Sequence, residues 1–199
     1  MKVRIYVEGG FEGSTKSNCR RAFRMFLEKV IRPGSFQVIA SGSRAAAFDD
    51  FRSALRRHQE DYILLLVDSE TAVEAMPWQH LNEREGDNWQ RPDGASDDQA
   101  HLMVQVMEAW FLADKEALAD YYGQGFQRNS LPRRQNIEQI AKEEVFRALR
   151  DASRRTQKGD YHKTRHGFDL LEQIDPALVR KASPHANSLF AVLKRETSG

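Results

Sequence analysis

One uninterrupted apolar run, YILLLV at residues 62–67, constrains the fold of this 199-residue chain more than any other feature. A half-exposed strand alternates apolar and polar residues, whereas a strand covered by helices on both faces is apolar throughout. The run therefore predicts a central strand of a parallel sheet. It ends abruptly at Asp68-Ser69-Glu70. A chain of this length can bury the core that such a sheet needs.

The segments around this run predict an α/β sandwich. Residues 2–7 alternate, so that Val3, Ile5 and Val7 share one face of a first strand. Residues 71–98, rich in Gly, Pro and acids, predict a long loop. The sequence thus predicts an α/β sandwich core with a mostly parallel sheet over residues 1–122, and a helical C-terminal lobe packed on it over residues 123–199. The other predicted strands are 36–40 and 101–107, and the predicted helices are 14–31, 45–58, 108–122, 137–153, 163–174, 176–182 and 184–195.

The formal net charge of +1 conceals a strong asymmetry along the chain. Residues 1–59 carry 12 Lys and Arg against 5 Asp and Glu, and residues 128–166 carry 11 against 5. Residues 60–120 between them carry 3 against 15. An acidic centre between basic segments suits a metal site that acts on a polyanion such as nucleic acid. Solvated helix faces and an acidic loop explain the same pattern equally well.

Composition excludes several classes of protein. No apolar run approaches the roughly 20 residues of a membrane-spanning helix, so no membrane association is expected. Cys19 is the one cysteine, which rules out an internal disulfide and a Cys-based zinc site and makes a cytoplasmic location the expectation. Gly-rich Walker and Rossmann fingerprints are absent, so ATP or NAD use has no support.

Carboxylates follow two of the predicted strands. Glu8 follows the first strand, Asp68 and Glu70 follow the third, and Glu12 lies four residues beyond Glu8 in the next turn. The carboxyl ends of parallel strands meet at one edge, where α/β proteins bind ligands. If the chain stays extended, Asp68 and Glu70 point the same way. These oxygens suit Mg²⁺ or Mn²⁺, although an acid such as Glu8 can also cap the following helix.

Three stretches resemble known families. VEGGFE followed by LLLVDSE resembles the Toprim (topoisomerase–primase) signature, in which Glu follows the first strand and Asp-x-Asp or Asp-x-Glu the third. The Glu8/Glu12 pair resembles the Glu-Gly-x-x-Glu turn of Toprim nucleases of the overcoming-lysogenization-defect type, with Phe11 where Thr is usual. HLMVQVMEAWFLAD, together with Lys163, His166 and SPHA, is similar to the Toprim-like bacterial domain-of-unknown-function family 4276.

This resemblance implies a Toprim fold with Mg²⁺-dependent or Mn²⁺-dependent phosphodiester chemistry on nucleic acid. Glu8 would be the general acid/base or a metal ligand, and Asp68 and Glu70 would be metal ligands. The resemblance also implies a place in anti-phage or mobile-element systems and a protein partner such as an ATPase. The alternative is a catalytically silent Toprim-fold module that binds nucleic acid or regulates another protein.

Further candidates each have a structural alternative. Glu12 and Glu108 are candidate metal ligands, but both are also explained as acids at helix N-termini. Lys163 and His166, in the basic stretch KGDYHKTRHG, are candidate catalytic residues that meet phosphate charge, or else surface helix residues. A strand-transfer reaction would need a nucleophilic tyrosine, for which Tyr161 is a faint candidate. The candidate nucleic-acid-binding residues are Arg133, Arg134, Arg154 and Arg155.

Overall fold

The computed structural model describes residues 2–10 and 13–198, and its centre is a four-stranded parallel sheet in the order β2-β1-β3-β4. Val3 pairs with Phe36 on one side and with Tyr62 on the other, so β1 lies between β2 and β3. The α/β class with a parallel central sheet is thereby confirmed, and the topology is consistent with a Rossmann-like or Toprim-like sandwich. The strands are β1 (Val3–Glu8), β2 (Phe36–Gly42), β3 (Tyr62–Asp68) and β4 (Ala100–Met103).

Helices cover both faces of this sheet. Every residue of β3 after Tyr62 is buried, as its apolar sequence predicts. On one face, Phe48 and Phe51 of the second helix pack with Trp78 from the third. The larger cluster on the other face joins the first helix to the C-terminal helices. The α-helices of the described residues are α1 (Gly13–Glu28), α2 (Arg44–Arg57), α3 (Pro77–Glu83), α4 (Lys115–Tyr122), α5 (Lys142–Ser153), α6 (Lys163–Gln173), α7 (Pro176–Ala182) and α8 (Pro184–Thr197).

The C-terminal helices share the core of the sheet. The ring of Phe26 in α1 stacks on Trp110 with a centroid distance of 5.4 Å, and it meets the edge of Phe190 in α8 at 5.7 Å. Such aromatic contacts tie the amino-terminal and carboxy-terminal parts together through one apolar cluster. The boundary drawn at residues 122 and 123 stays a prediction.

The single helix predicted over residues 108–122 is wrong. The chain forms a 3-10 segment, Met107–Ala113, and α4 then starts after Asp114. Asp114 leaves the helical conformation at φ −121° and ψ 78°, and its Oδ1 accepts the Ala117 N–H at 3.0 Å. Its Oδ2 accepts the Asp175 N–H at 2.8 Å, so a contact with the C-terminal region fixes the break.

Two other boundaries differ from the predictions. The segment 71–98 contains α3, whose Pro77 occupies the first turn and whose Trp78 is buried. The fourth strand ends at Met103, because Gln105 takes a left-handed conformation at φ 61°.

A bilayer-crossing helix needs length and apolar character together, and none of the helices in the described parts of the chain combines them.

Candidate metal centre

Three carboxylates converge at the carboxyl edge of the sheet. Glu8, Asp68 and Glu70 each offer an oxygen, and these oxygens all lie within 4.8 Å of one another. Glu8 ends β1 and Asp68 ends β3. After β1 the chain adds β2 on one side of it, and then crosses over to add β3 on the other side. The cluster therefore lies at the point where the direction of strand addition reverses, which is where α/β folds bind ligands. The predicted meeting of these three residues is confirmed.

Asp68 is the buried member of the cluster, with 2% of its surface exposed. Its Oδ1 accepts the Met107 N–H at 2.7 Å, which fixes the carboxylate. Burial raises the pKa of Asp68 well above its ordinary value, and the carboxylates of Glu8 and Glu108 raise it further, against a lowering by Lys163. A cation among these oxygens would favour the ionised form of Asp68.

Glu70 joins the cluster through a backbone conformation that the sequence does not predict. The chain does not stay extended after Asp68, since Glu70 has a left-handed backbone with φ 67°. Its N–H donates to the carbonyl oxygen of Gln105 at 2.9 Å. Its carboxylate forms an ion pair with Lys142, the first residue of α5. Lys142 was not predicted as a site residue, because nothing local to it marks a contact with β3.

Glycines let the chain turn tightly behind Glu8. The Gly9 N–H donates to the Gly42 carbonyl oxygen at 2.7 Å, and Gly9 has φ 122°. A Cβ at Gly10 would lie 2.7 Å from the Lys16 Cα, so no larger residue fits there. The candidate ligand Glu12 lies outside the described residues.

Arg44 is a site residue that sequence reasoning missed. It is the first residue of α2, and its Nη1 donates to the Asp68 carbonyl oxygen and lies 3.3 Å from Glu8 Oε2. Its Nε and Nη2 grip the carboxylate of Asp87 at 2.9 and 2.6 Å, and its guanidinium lies 5.0 Å from the Trp89 ring centroid. The sequence did contain a signal for it, because Arg44 follows the carboxyl end of β2, and ligands bind at that edge of an α/β sheet.

Glu108 lies beside the cluster, completely buried. Its Oε1 accepts the Tyr161 hydroxyl at 3.0 Å, whereas its Oε2 has no hydrogen-bond partner among the described residues. Burial and the adjacent Glu108 raise the pKa of Tyr161, so this hydroxyl is a structural donor. A buried carboxylate oxygen without a partner is costly and points to a ligand that completes it.

Lys163, at the start of α6, connects Glu108 to Asp68. Its Nζ lies 3.6 Å from Glu108 Oε1 and 3.9 Å from Asp68 Oδ2. Burial opposes the charge of Lys163, but the carboxylates of Glu108 and Asp68 outweigh burial and raise its pKa. The structure thus brings this predicted residue into the site as a cation.

His166 lies one turn further along α6 and is not brought to the carboxylates. Its Nδ1 accepts the His162 N–H at 3.2 Å and lies 3.2 Å from the Tyr122 hydroxyl. Burial lowers its pKa, and the positive charge of Arg165 lowers it further. Its ring packs 6.2 Å from that of Tyr161, which places it behind the site.

The four predicted nucleic-acid-binding arginines are all exposed. Arg134 donates to the Gln139 carbonyl oxygen at 3.2 Å, and Arg154 pairs with Asp151 at 3.5 Å. The structure shows no contact of Arg133, Arg134, Arg154 or Arg155 with the carboxylate cluster within the described ranges. They offer exposed positive charge on the C-terminal lobe.

A cavity of about 250 Å³ opens onto the cluster, lined by Glu8, Asp68 and Glu70 and by the basic residues Arg44 and Lys163. These three close carboxylates fit a hard divalent cation, whereas the predicted ligand Glu108 is neither in this group nor among the residues that line the cavity. No second group of three metal-ligating side chains is found in residues 2–10 and 13–198. Fold and site define an α/β protein with an acidic candidate metal centre at the sheet's switch point.

Comparison with known proteins then places the chain in a family. It belongs to the family described as Domain of unknown function (DUF4276), whose model matches residues 8–194. This confirms the predicted membership of family 4276. No curated protein and no solved structure matches the chain significantly.

Proposed function

We propose that the protein is a divalent-cation-dependent phosphodiesterase that cleaves nucleic acid. The observation that carries this proposal is the convergence of Glu8, Asp68 and Glu70 within 4.8 Å at the switch point of the sheet. Glu8, Asp68 and Glu70 would hold Mg²⁺ or Mn²⁺, with Glu108 near them. Such a cation, when bound, activates water and neutralises charge on phosphate oxygens.

The chain's own residues support this chemistry. Glu8 is partly exposed to the cavity and would accept a proton from water as general base. Lys163 would offset negative charge on the phosphate, because its ammonium lies at the wall of the cavity that the carboxylates line. Arg44, fixed by Asp87, would orient Glu8. His166 lies outside the cavity lining, so its role in the proposal is to support α6.

The substrate class rests on charge. Arg133, Arg134, Arg154 and Arg155 are exposed, and nucleic acid is the polyanion that such a surface attracts. Reversing the charge of all four residues should weaken binding of every nucleic-acid sequence about equally, since phosphate contacts carry no sequence information. A variant that binds as tightly as the wild type, with the same salt dependence, would remove these residues from the interface.

A second candidate function has one specific observation in its favour. Each carboxylate of the cluster already contacts a basic side chain, namely Arg44, Lys142 or Lys163. A cluster neutralised in this way holds its shape without a cation. The protein would then be a silent module that binds nucleic acid or regulates a partner.

The cellular setting belongs to the same proposal and rests on the sequence resemblance. It comprises a place in anti-phage or mobile-element systems and a protein partner such as an ATPase. The cytoplasmic location is proposed on a different ground, the single cysteine of the chain. Cys19 is buried, and burial raises the pKa of its thiol to about 12, which agrees with a structural role for the one cysteine.

Asp68→Asn decides between the two candidates, because it keeps the shape of the side chain and removes its charge. Asp97→Asn is the matched control, since Asp97 is exposed and precedes β4 at the opposite edge of the sheet. Melting temperature is measured with and without Mg²⁺ or Mn²⁺, and cleavage of single-stranded and double-stranded DNA and RNA is assayed. The phosphodiesterase proposal expects metal stabilisation and cleavage in the wild type and the control only.

The other outcomes are equally decisive. Metal stabilisation of the wild type without cleavage of any substrate favours the silent module. Identical behaviour of wild type and Asp68→Asn in all assays excludes the metal centre and the phosphodiesterase with it.

A further inference from the structure

Three basic side chains from three helices neutralise the candidate metal centre. Arg44 of α2 lies 3.3 Å from Glu8, and Lys142 of α5 pairs with Glu70. Lys163 of α6 lies 3.9 Å from Asp68 and 3.6 Å from Glu108. The negative charge that would attract a divalent cation is therefore already partly compensated within the chain.

The three cations differ in how firmly they are held. Arg44 is held firmly: its side chain is 16% exposed, its Nε and Nη2 donate hydrogen bonds to the Asp87 carboxylate, and its guanidinium packs on the Trp89 ring. It keeps these contacts whatever happens to Glu8. Arg44 is thus a permanent part of the cavity wall.

Lys142 and Lys163 are held differently. Their side chains are 31% and 57% exposed, and the contacts seen for their ammonium groups within the described ranges are with site carboxylates. Each lysine is the first residue of its helix, so its backbone is anchored. Its ammonium group lies at the end of a flexible side chain with four rotatable bonds. The ammonium group of Lys142 can leave Glu70 while the backbone stays in place, whereas Lys163 also pairs with the buried Glu108.

The position of both lysines also opposes an intrinsic preference of helices. The positive end of the helix dipole favours acids in the first turn and disfavours cations there. Both α5 and α6 nevertheless begin with Lys. The carboxylates of Glu70, Asp68 and Glu108 supply the attraction that offsets this cost.

We propose that Lys142 and Lys163 occupy the place of the divalent cation in the metal-free protein, and that cation binding turns them outward to bind phosphate oxygens of nucleic acid. This inference rests on the proposed metal centre and adds an order of binding to it. A carboxylate that shares its charge with a divalent cation attracts an ammonium less, and the cation repels the ammonium directly. The displaced lysine heads then need new anions, and the cavity mouth is where a phosphate backbone would lie.

The inference has a signature that simple charge attraction lacks. A lysine that is paired with Glu70 contributes little to the binding of another anion. Lys142→Met should therefore leave the affinity for nucleic acid nearly unchanged when no metal is present. With metal bound, the same substitution removes a phosphate ligand and should weaken binding by about fivefold or more. Because the competing ammonium is gone, metal affinity without nucleic acid should rise by a similar factor.

The experiment compares wild type, Lys142→Met, Lys163→Met and the control Lys181→Met, which removes an exposed lysine of α7. Mn²⁺ binding is measured by calorimetry, and binding of a short labelled oligothymidylate is measured with and without Ca²⁺. Circular dichroism verifies folding. Lys163 also offsets the buried Glu108, so the Lys142 variant at the rim carries the test if Lys163→Met does not fold.

The results separate this inference from the proposed function. A metal-conditional loss of oligothymidylate binding, together with tighter Mn²⁺ binding, supports the exchange of lysines for metal. An equal loss of nucleic-acid binding with and without Ca²⁺, or behaviour like that of Lys181→Met, overturns it while leaving the metal centre standing. Absence of Mn²⁺ binding in the wild type overturns both.

Discussion

Glu70 and Gln105 face each other with left-handed backbones, at φ 67° and 61°, and the Glu70 N–H donates to the Gln105 carbonyl oxygen at 2.9 Å. These residues follow β3 and β4, the two strands at one side of the site. The Gln105 N–H donates to the Ser69 hydroxyl at 2.7 Å, and its side-chain oxygen accepts the Lys142 N–H at 3.0 Å. The strained backbone conformation of Glu70 thus directs its carboxylate into the cluster.

This strain predicts a difference between two substitutions that remove the same carboxylate. Glu70→Gly and Glu70→Ala both lose the ion pair with Lys142, but only glycine adopts φ 67° without steric cost. Glu70→Gly should therefore exceed Glu70→Ala in free energy of unfolding by about 1 kcal/mol in the absence of metal. Urea denaturation with EDTA measures the difference. Equal stability would show that position 70 is relaxed.

The elements found from sequence are those whose signals are local. An apolar run that stops at Asp68, and a strand that stops at Glu8, placed two carboxylates correctly because parallel strands end at one edge. Lys163 stood out by its basic neighbours. These inferences required no knowledge of distant contacts.

The elements that escaped prediction depend on contacts far apart in the chain. Arg44 looks like an ordinary helix residue until Asp87, 43 residues away, fixes it over Glu8. The break at Asp114 depends on Asp175, 61 residues away. The left-handed turn at Glu70 depends on Gln105. Tertiary contacts overrode local propensity at Asp114 and at Glu70.

Arg44→Lys should destabilise the protein although it keeps the charge. A lysine cannot make the two-pronged contact with Asp87, whose side chain is 3% exposed, and it leaves the Trp89 face uncovered. We expect a loss of about 2 kcal/mol in the free energy of unfolding. Arg52→Lys is the control, because Arg52 is exposed and its contacts with Asp49 and Phe48 lie within the same helix. Its effect should stay within about 0.5 kcal/mol. Equal urea midpoints for the two variants would show that the contact of Arg44 with Asp87 does not stabilise the protein.

Tyr161→Phe should leave buried Glu108 without its hydroxyl donor. Since that carboxylate has no solvent contact, the expected loss is about 2 kcal/mol in the free energy of unfolding. Tyr121→Phe removes a hydroxyl that lies 3.4 Å from Asp169 at the surface, and should cost about 0.5 kcal/mol or less. Thermal unfolding of both variants in EDTA tests the contrast. A Tyr161 variant as stable as the control would mean that the hydroxyl contact with Glu108 contributes little to the stability of the fold.

His101 predicts a loss of stability in mild acid. It is 5% exposed, and burial lowers its pKa from 6.5 to about 4. Between these values the unfolded chain binds more protons than the folded chain, so the free energy of unfolding falls as the pH falls through this window. The linkage should remove about 2 kcal/mol by about pH 5.

Urea denaturation at about pH 7 and about pH 5 measures this linkage. His101→Gln has no titrating group there, so its stability should fall by about 2 kcal/mol less than that of the wild type between these pH values. The exposed His162→Gln should retain the wild-type slope. If His101→Gln and wild type lose the same stability on acidification, His101 is not the group that titrates.

The C-terminal lobe, residues 123–199, should not fold by itself. Its helices bury their apolar faces against α1 and the sheet, and Phe190 of α8 contacts Phe26 of α1 at 5.7 Å. A fragment of short helices with no sheet to cover would leave that surface in water and would be marginal in stability. We expect the isolated fragment to show no cooperative thermal transition by circular dichroism, whereas the full chain, in the same buffer, shows one. Mixing the fragment with residues 1–122 should restore helical signal, because the two parts complete one apolar cluster. A cooperative melt of 123–199 alone would instead make it a domain in its own right, and Lys142 and Lys163 would then reach the carboxylates across an interface between two domains.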